Sequence, residues 1–260
     1  SDEPLIRSYL SYFFHEAADF KVYEPYLQDN YLKEVFAETK ITQGVGDPNQ
    51  WSPLLSAAKY QALRERIDLD FTYTSETTYA ADGEVSLEMD VKNVEKLIVE
   101  VYELNAQNFY RTQIQPVSTS INLDGLVANY ERSFQYSDSP LRRIRRKFEF
   151  PELKQPGVYV VDFIGNGISS RALIHKGRLD YLVRTTTAGH LFQIVDSGKQ
   201  LVKDSTLWIG GVEYVSSEGG EIVDGYWTNQ VVASDVDSHE ITPLYMSLYS
   251  QTSPDFTSEN

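Results

Sequence analysis

The densest chemistry in this 260-residue sequence is the run Arg142-Arg143-Ile144-Arg145-Arg146-Lys147, five cationic side chains in six positions of a chain whose formal net charge is −15. A cluster of that density could hold a polyanion or an acidic partner. In an extended strand it has a different use. A period of two puts Arg143, Arg145 and Lys147 on one solvated face and leaves Ile144, Phe148 and Phe150 to anchor the core or the strand ends. Neighbouring acidic strands would then pair with the cationic face, and the 38 Asp and Glu of the chain favour this reading.

The aromatic residues Trp208, Tyr226 and Trp227 could stack on sugar rings, or could fill a small core. The histidines, His15, His175, His190 and His239, stand apart from one another and from any clear carboxylate pair, whereas a metal site needs three or four converging ligands. In the segment 122–129 only Asn122, Asp124 and Asn129 offer oxygen, which describes a capped loop better than a calcium site. Gly165-Asn166-Gly167-Ile168-Ser169 resembles a nucleophile elbow in composition alone; it reads as a hairpin turn, where Asn and Gly supply positive φ. The chain has no cysteine, which removes disulfides, thiolate nucleophiles and zinc–thiolate or iron–sulfur sites. No catalytic residue, metal or cofactor is therefore expected, and the protein reads as no enzyme.

The acidic balance disfavours nucleic acid and anionic membranes, because phosphate binding needs a basic footprint. No apolar run reaches the length of a membrane span, so membrane insertion is not expected. An exported protein without disulfides is commonest in a bacterial envelope, so an extracellular, cell-surface or bacterial-envelope location is expected.

These residues must be carried by a mainly β chain with a helical start. Over 1–67, Leu5, Ile6, Tyr9, Leu10, Phe13, Phe14 and Ala17 recur at helical spacing. Leu27, Tyr31, Leu32, Val35 and Phe36 form a second stripe, and Leu54, Leu55, Ala58, Ala62 and Leu63 a third, entered through Ser52-Pro53. After Ile67 the period becomes two. Short alternating runs separated by turns predict one antiparallel β-sandwich over 68–176 and a smaller one over 177–250, followed by a polar tail at 251–260. In 157–164, Tyr159, Val161 and Phe163 face one way and Val158, Val160 and Asp162 the other. Both faces are apolar near the start, which marks an inner strand.

The runs VEKLIVEVYELNAQNFYR (94–111), INLDGLVANYERSFQYSDSPLRRIRRKFEFPELKQPGVYVVDFIGNGISSRALIHKGRL (121–179) and GHLFQIVDSGKQLVKDSTLWIGGVEYVSSEGGEI (189–222) carry a pattern of turns and strands that resembles the macroglobulin-like domains of the alpha-2-macroglobulin family. The resemblance covers about residues 65–220 and leaves the helical start outside. It implies tandem macroglobulin-like, immunoglobulin-like β-sandwiches in a large exported or surface protein that traps proteases or forms structural and adhesive arrays. The family's reactive element is a thioester between Cys and Gln, which a cysteine-free chain cannot form, so no functional residue carries over.

The expectation is thus a non-enzymatic structural or protein-binding fragment of a large extracellular alpha-2-macroglobulin-like protein, in contact with other domains of its own chain or with protein partners. Two alternatives stand beside it. A carbohydrate-binding module would expose Trp208, Tyr226 or Trp227. A hydrolase fragment would bring carboxylates together with raised pKa values.

Overall fold

Helices α1 (Glu3–Phe14) and α2 (Asp29–Gln43) pack through Leu10 and Phe14 on one side and Leu32, Val35 and Phe36 on the other. Pro4 sits in the first turn of α1, where its missing N–H costs no hydrogen bond. The first apolar stripe is only half used: Leu10 and Phe14 are buried, whereas Leu5, Ile6, Tyr9 and Phe13 stay exposed. Helix α2 stops at Gly44, whose φ of 68° is the left-handed geometry that glycine adopts without strain. A Cβ there would lie 1.6 Å from an Arg142 Nη atom, so a larger residue would also have to displace the Arg142 guanidinium.

The third stripe is broken into pieces rather than forming one helix. Asp47 caps α3 (Pro48–Trp51), Ser52–Leu54 forms a 3₁₀ turn, Leu55 goes extended, and Ser56 caps α4 (Ala57–Glu65) through the Lys59 amide at 3.2 Å. Two serine or aspartate side chains compete for helix starts within ten residues, and each wins locally.

The computed structural model describes residues 2–113, 117–186, 189–202, 205–209, 212–215, 231–233, 246–250 and 253–257. The first sandwich has a three-stranded sheet of β1 (Asp68–Phe71), β3 (Ser86–Lys92) and β6 (Arg143–Glu149), in the order β1-β3-β6. Its second sheet takes β2 (Thr78–Tyr79), β4 (Lys96–Leu104), β5 (Tyr130–Gln135), β7 (Gly157–Gly165) and β8 (Ile168–Lys176), in the order β2-β8-β7-β4-β5. All pairs are antiparallel except β2 with β8. Leu87, Met89, Val91, Leu97, Val99, Val101 and Phe148 fill the space between the sheets. Phe163 stands edge-on to Phe71 and Phe148, with ring centres 5.4 and 5.0 Å apart.

Strand β7 is an inner strand, as its two apolar faces predict. Tyr159, Val161 and Phe163 enter the sandwich core, while Val158 and Val160 are covered from outside by α5 (Ala106–Gln113) and the loop through Val117 and Leu123. Helix α5 interrupts the alternating pattern that predicts only strands here; its signal is the cap Asn105, whose side-chain oxygen accepts from the Asn108 amide at 2.8 Å. Asp162 lies on the covered face, 3% exposed, where Arg171 Nε donates to it at 2.8 Å and the Ser169 hydroxyl also donates. Asn166 and Gly167 both have positive φ, the two-residue hairpin that Asn-Gly favours.

The second β unit pairs β9 (Asp180–Thr186), β10 (Gly189–Val195) and β13 (Val231–Ala233) in one sheet. The other sheet holds β11 (Ser205–Ile209), β12 (Val212–Val215), β14 (Met246–Ser250) and β15 (Ser253–Thr257). Leu179, Phe192, Ile194, Leu207 and Ile209 form its core. The residues expected to be a polar tail include β15, which pairs with β14. The strand expected at 220–224 lies outside the described residues.

The helices belong physically to the first sandwich. Lys92, 1% exposed at the end of β3, donates from Nζ to the carbonyls of Leu63 and Arg66, both at 2.6 Å, at the C-terminal end of α4. A cation suits the negative end of a helix, but neutral carbonyls do not replace the water that the ammonium has lost. Burial therefore brings the Lys92 amine down to about 8. Asn93 Nδ2 donates to the Glu65 carbonyl at 3.1 Å, and Ile41, Leu63 and Leu141 make an apolar contact across the same joint.

Replacing Lys92 by Met should cost about 1–3 kcal/mol in urea unfolding near neutral pH, because the carbonyls lose their donor. The folded amine releases its proton at a lower pH than the unfolded one, so its contribution to stability rises as pH increases from about 8 towards the free-lysine value. Tyr102 and Tyr110, both pushed up to about 12 by burial, are common to both proteins and cancel in the difference. The wild type's advantage over Lys92→Met should therefore widen between pH 8 and 10, read from paired urea titrations.

Candidate functional site

Strand β6 carries the cationic run along the edge of the helical unit. Its register with β3 sets Arg145 opposite Asp90 and Lys147 opposite Glu88. Arg145 Nε binds Asp90 at 3.0 Å, and Arg143 reaches Asp70 at 2.8 Å, Asp90 at 3.6 Å and Asp68 at 3.7 Å. Lys147 lies 3.6 Å from Glu149. Arg146 points to the other face, where its guanidinium lies 3.7 Å from the centre of the Tyr136 ring and pairs with Asp138. Arg142 folds over Gly44 at the C-terminus of α2, a favourable place for a cation. The geometry is that of a paired face, and four of the five cations have a carboxylate within 4 Å.

The pairs continue into the helices. Arg66, on the link into β1, binds Glu38 of α2 at 2.6 Å and Asp68 at 2.9 Å; Glu38 also receives Arg7 of α1 at 2.8 Å, and Arg7 binds Glu3 at 2.9 Å. An alternating chain of charge thus runs from α1 through α2 to β1, β3 and β6. It lines a cleft of about 1020 Å³ between the helical unit and the three-stranded sheet, walled by Ser8 and Ser11 of α1 and by Tyr73. Spacing along the sequence could not reveal this site, because Arg7, Glu38, Arg66 and Arg143 come from four separate elements.

Chemically the cleft is a lattice of ion pairs. Glu38, Asp68 and Asp90 each accept from arginine, and the hydrogen bond from Arg7 holds Glu3 below the usual carboxylate range. A general acid at neutral pH needs the opposite shift. Asn122 accepts from the Asp124 amide at 2.9 Å and Asn129 from the Glu103 amide at 2.7 Å, so these oxygens serve the backbone and do not converge. No three metal-ligating side chains come together among the described residues. His15 uses its carbonyl to accept from the buried Lys40 ammonium at 2.9 Å, His190 is buried, and His239 lies outside the described residues. Trp208 is half-buried and packs on Ala106, Tyr110, Val117 and Val158, bridging the second β unit to the α5 side of the first. Tyr226 and Trp227 lie outside the described residues.

Residues 1–67 match the family described as the actin-binding protein F N-terminal domain. Residues 97–177 match the first immunoglobulin-like domain of the same protein. The two matches fall on the helical unit and on β4 through β8. The chain is 37% identical over 224 residues to actin-binding protein F of Dictyostelium discoideum, an alignment that takes in 85% of this chain and 10% of that relative's length.

Among solved structures, Escherichia coli alpha-2-macroglobulin spanning domains MG0-NIE-MG1 covers 74% of this chain and 63% of its own at 11% identity, with a TM-score of 0.49. A second structure of that protein, spanning NIE-MG1, gives 13% identity and a TM-score of 0.43. An immunoglobulin-like assignment for the first sandwich rests on the family match and on its antiparallel sheets.

Arg143 touches three carboxylates with its side chain 31% exposed, while Arg145 touches one and is 60% exposed. Arg143→Gln should therefore destabilise the chain by about 1–2 kcal/mol, and Arg145→Gln by under about 1 kcal/mol, since exposed pairs contribute little. Urea denaturation at low and high salt checks both, and the Arg143 effect should shrink the less as salt rises.

Proposed function

We propose that this chain is a non-enzymatic protein-binding segment of an actin-binding protein, contacting actin or the neighbouring domains of its own longer chain. The observation that carries the reading is the pair of consecutive domain matches to actin-binding protein F, joined by 37% identity across most of the chain. The cleft supports it, because Glu38, Asp68 and Asp90 are engaged in ion pairs that stiffen a surface. Trp208, packed on the first sandwich, favours a scaffold over a sugar-stacking platform.

A second reading keeps the alpha-2-macroglobulin kinship, with the chain as part of a structural or adhesive array at a cell surface or envelope. The strand-and-turn pattern of residues 94–222 favours it. The two readings differ in compartment: actin contact requires the cytoplasmic side, and an adhesive array requires export.

Sedimentation of purified chain 1–260 with filamentous actin separates them. Saturable pelleting is the expected result. A chain that stays in the supernatant at every actin concentration overturns direct actin contact by this segment. Surface labelling of the tagged full-length protein in intact cells would then favour the exported array.

A further inference from the structure

Helix α1 has two apolar faces, and only one is used. Leu10 and Phe14 hold the helix on α2, and Arg7 pins it to Glu38, so α1 cannot roll to bury its other side without breaking that core. On the outward side stand Leu5, Tyr9, Tyr12 and Phe13, with exposures of 59, 61, 77 and 51%. Their spacing of four, three and one residues makes a continuous ridge of about 12 Å. Four large apolar residues in one exposed ridge are what a docking face requires, while scattered surface leucines need no explanation.

The surroundings select the occupant. Asp2, Glu3, Glu16 and Asp19 lie towards the two ends of the ridge; Glu3 is paired with Arg7 and Asp19 with Lys21, so residues 2–21 carry four acids against two bases and keep an acidic balance. Across the cleft mouth the fully exposed Tyr73 continues the aromatic character, beside Asp70, which is paired with Arg143. A second copy of this chain carries the same sign and the same net charge of −15, and an anionic bilayer is negative too; both would be repelled. A helix with apolar residues on one side and lysine or arginine beside them meets the ridge with its apolar face, the acidic rim with its cations, and the aromatic rings with both.

We infer that the outer face of α1 is a docking surface for a basic amphipathic helix of a protein partner. This rests on the protein-binding reading and not on actin being the partner.

The test uses two labelled model helices of about 18 residues, five turns, with leucine at the same spacing and either lysine or glutamate elsewhere. Fluorescence anisotropy should show the lysine helix binding chain 1–260 and the glutamate helix failing to bind. Tyr9→Ser with Phe13→Ser should weaken the lysine helix by about tenfold or more, as central aromatic anchors do. Leu182→Ser, at an equally exposed apolar position of the second β unit (58%), should leave binding unchanged. Both positions of the double variant are on the surface, so its circular dichroism should match the wild type.

Equal binding by wild type and double variant overturns the inference, as does preference for the glutamate helix. So does sedimentation showing a wild-type dimer that the double variant abolishes. Retained peptide binding without actin pelleting removes actin from the proposed function and leaves this surface standing; actin pelleting with peptide binding unaffected by the double variant does the reverse.

Discussion

The buried ammonium of Lys92 is the constraint on which the rest of the architecture hangs. A desolvated cation must find acceptors, and here these are the last free carbonyls of α4, supplied by Leu63 and Arg66. Two orphan groups answer each other: the helix end needs donors, and the lysine needs acceptors. Fixing the end of α4 against β3 also fixes Arg66, which then lies between Glu38 and Asp68. From there the alternating charges extend to α1 on one side and to β6 on the other. The same device recurs where Lys40 donates to the His15 carbonyl and Lys176 to that of Leu153, each lysine no more than 4% exposed. Burial lowers the pKa of all three amines, because carbonyl dipoles compensate less than a full opposite charge would.

The sandwich offers a rigid wall because its central strand is buried twice. β7 meets the other sheet through Tyr159, Val161 and Phe163, and meets α5 and the loop at 117–123 through Val158 and Val160. Asp162 would be costly there alone; Arg171 and Ser169 satisfy it, and Arg171 also donates to the Ile121 carbonyl at 3.0 Å, tying the covering loop down. This three-layer arrangement leaves the three-stranded sheet and the helices to form the open side, where the cleft and the outer ridge of α1 lie.

Much of this was legible in the sequence. The change of period at Ile67, the inner position of β7 and the Asn-Gly hairpin all follow from local pattern, because burial on a strand and positive φ in a turn are decided by adjacent residues. The pairing of Arg143 and Arg145 with acidic strands was foreseen in kind, though which acids were chosen depends on register. Other features were hidden for physical reasons. The α1 residues recur as one helical stripe, but periodicity marks apolar positions and not what covers them. The third helix broke because Asp47 and Ser56 each capped their own start. The cleft is assembled from residues far apart in sequence, so apart from the β6 cations Arg143 and Arg145 neither its charges nor its volume had a local signature. The exported location expected from the cysteine-free composition rests on composition alone.

Joined at Lys92, the helices and the first sandwich should unfold as one body. Native-state hydrogen exchange across a urea series tests it most directly. The last-turn amides of α4, among them the Arg66 N–H bonded to Ala62, should exchange through the same opening, with the same urea dependence, as the β3 and β7 amides. Exchange of α1, α2 and α4 at distinctly lower urea, with the sandwich still protected, would show that the helices are a separate unit and would contradict the account.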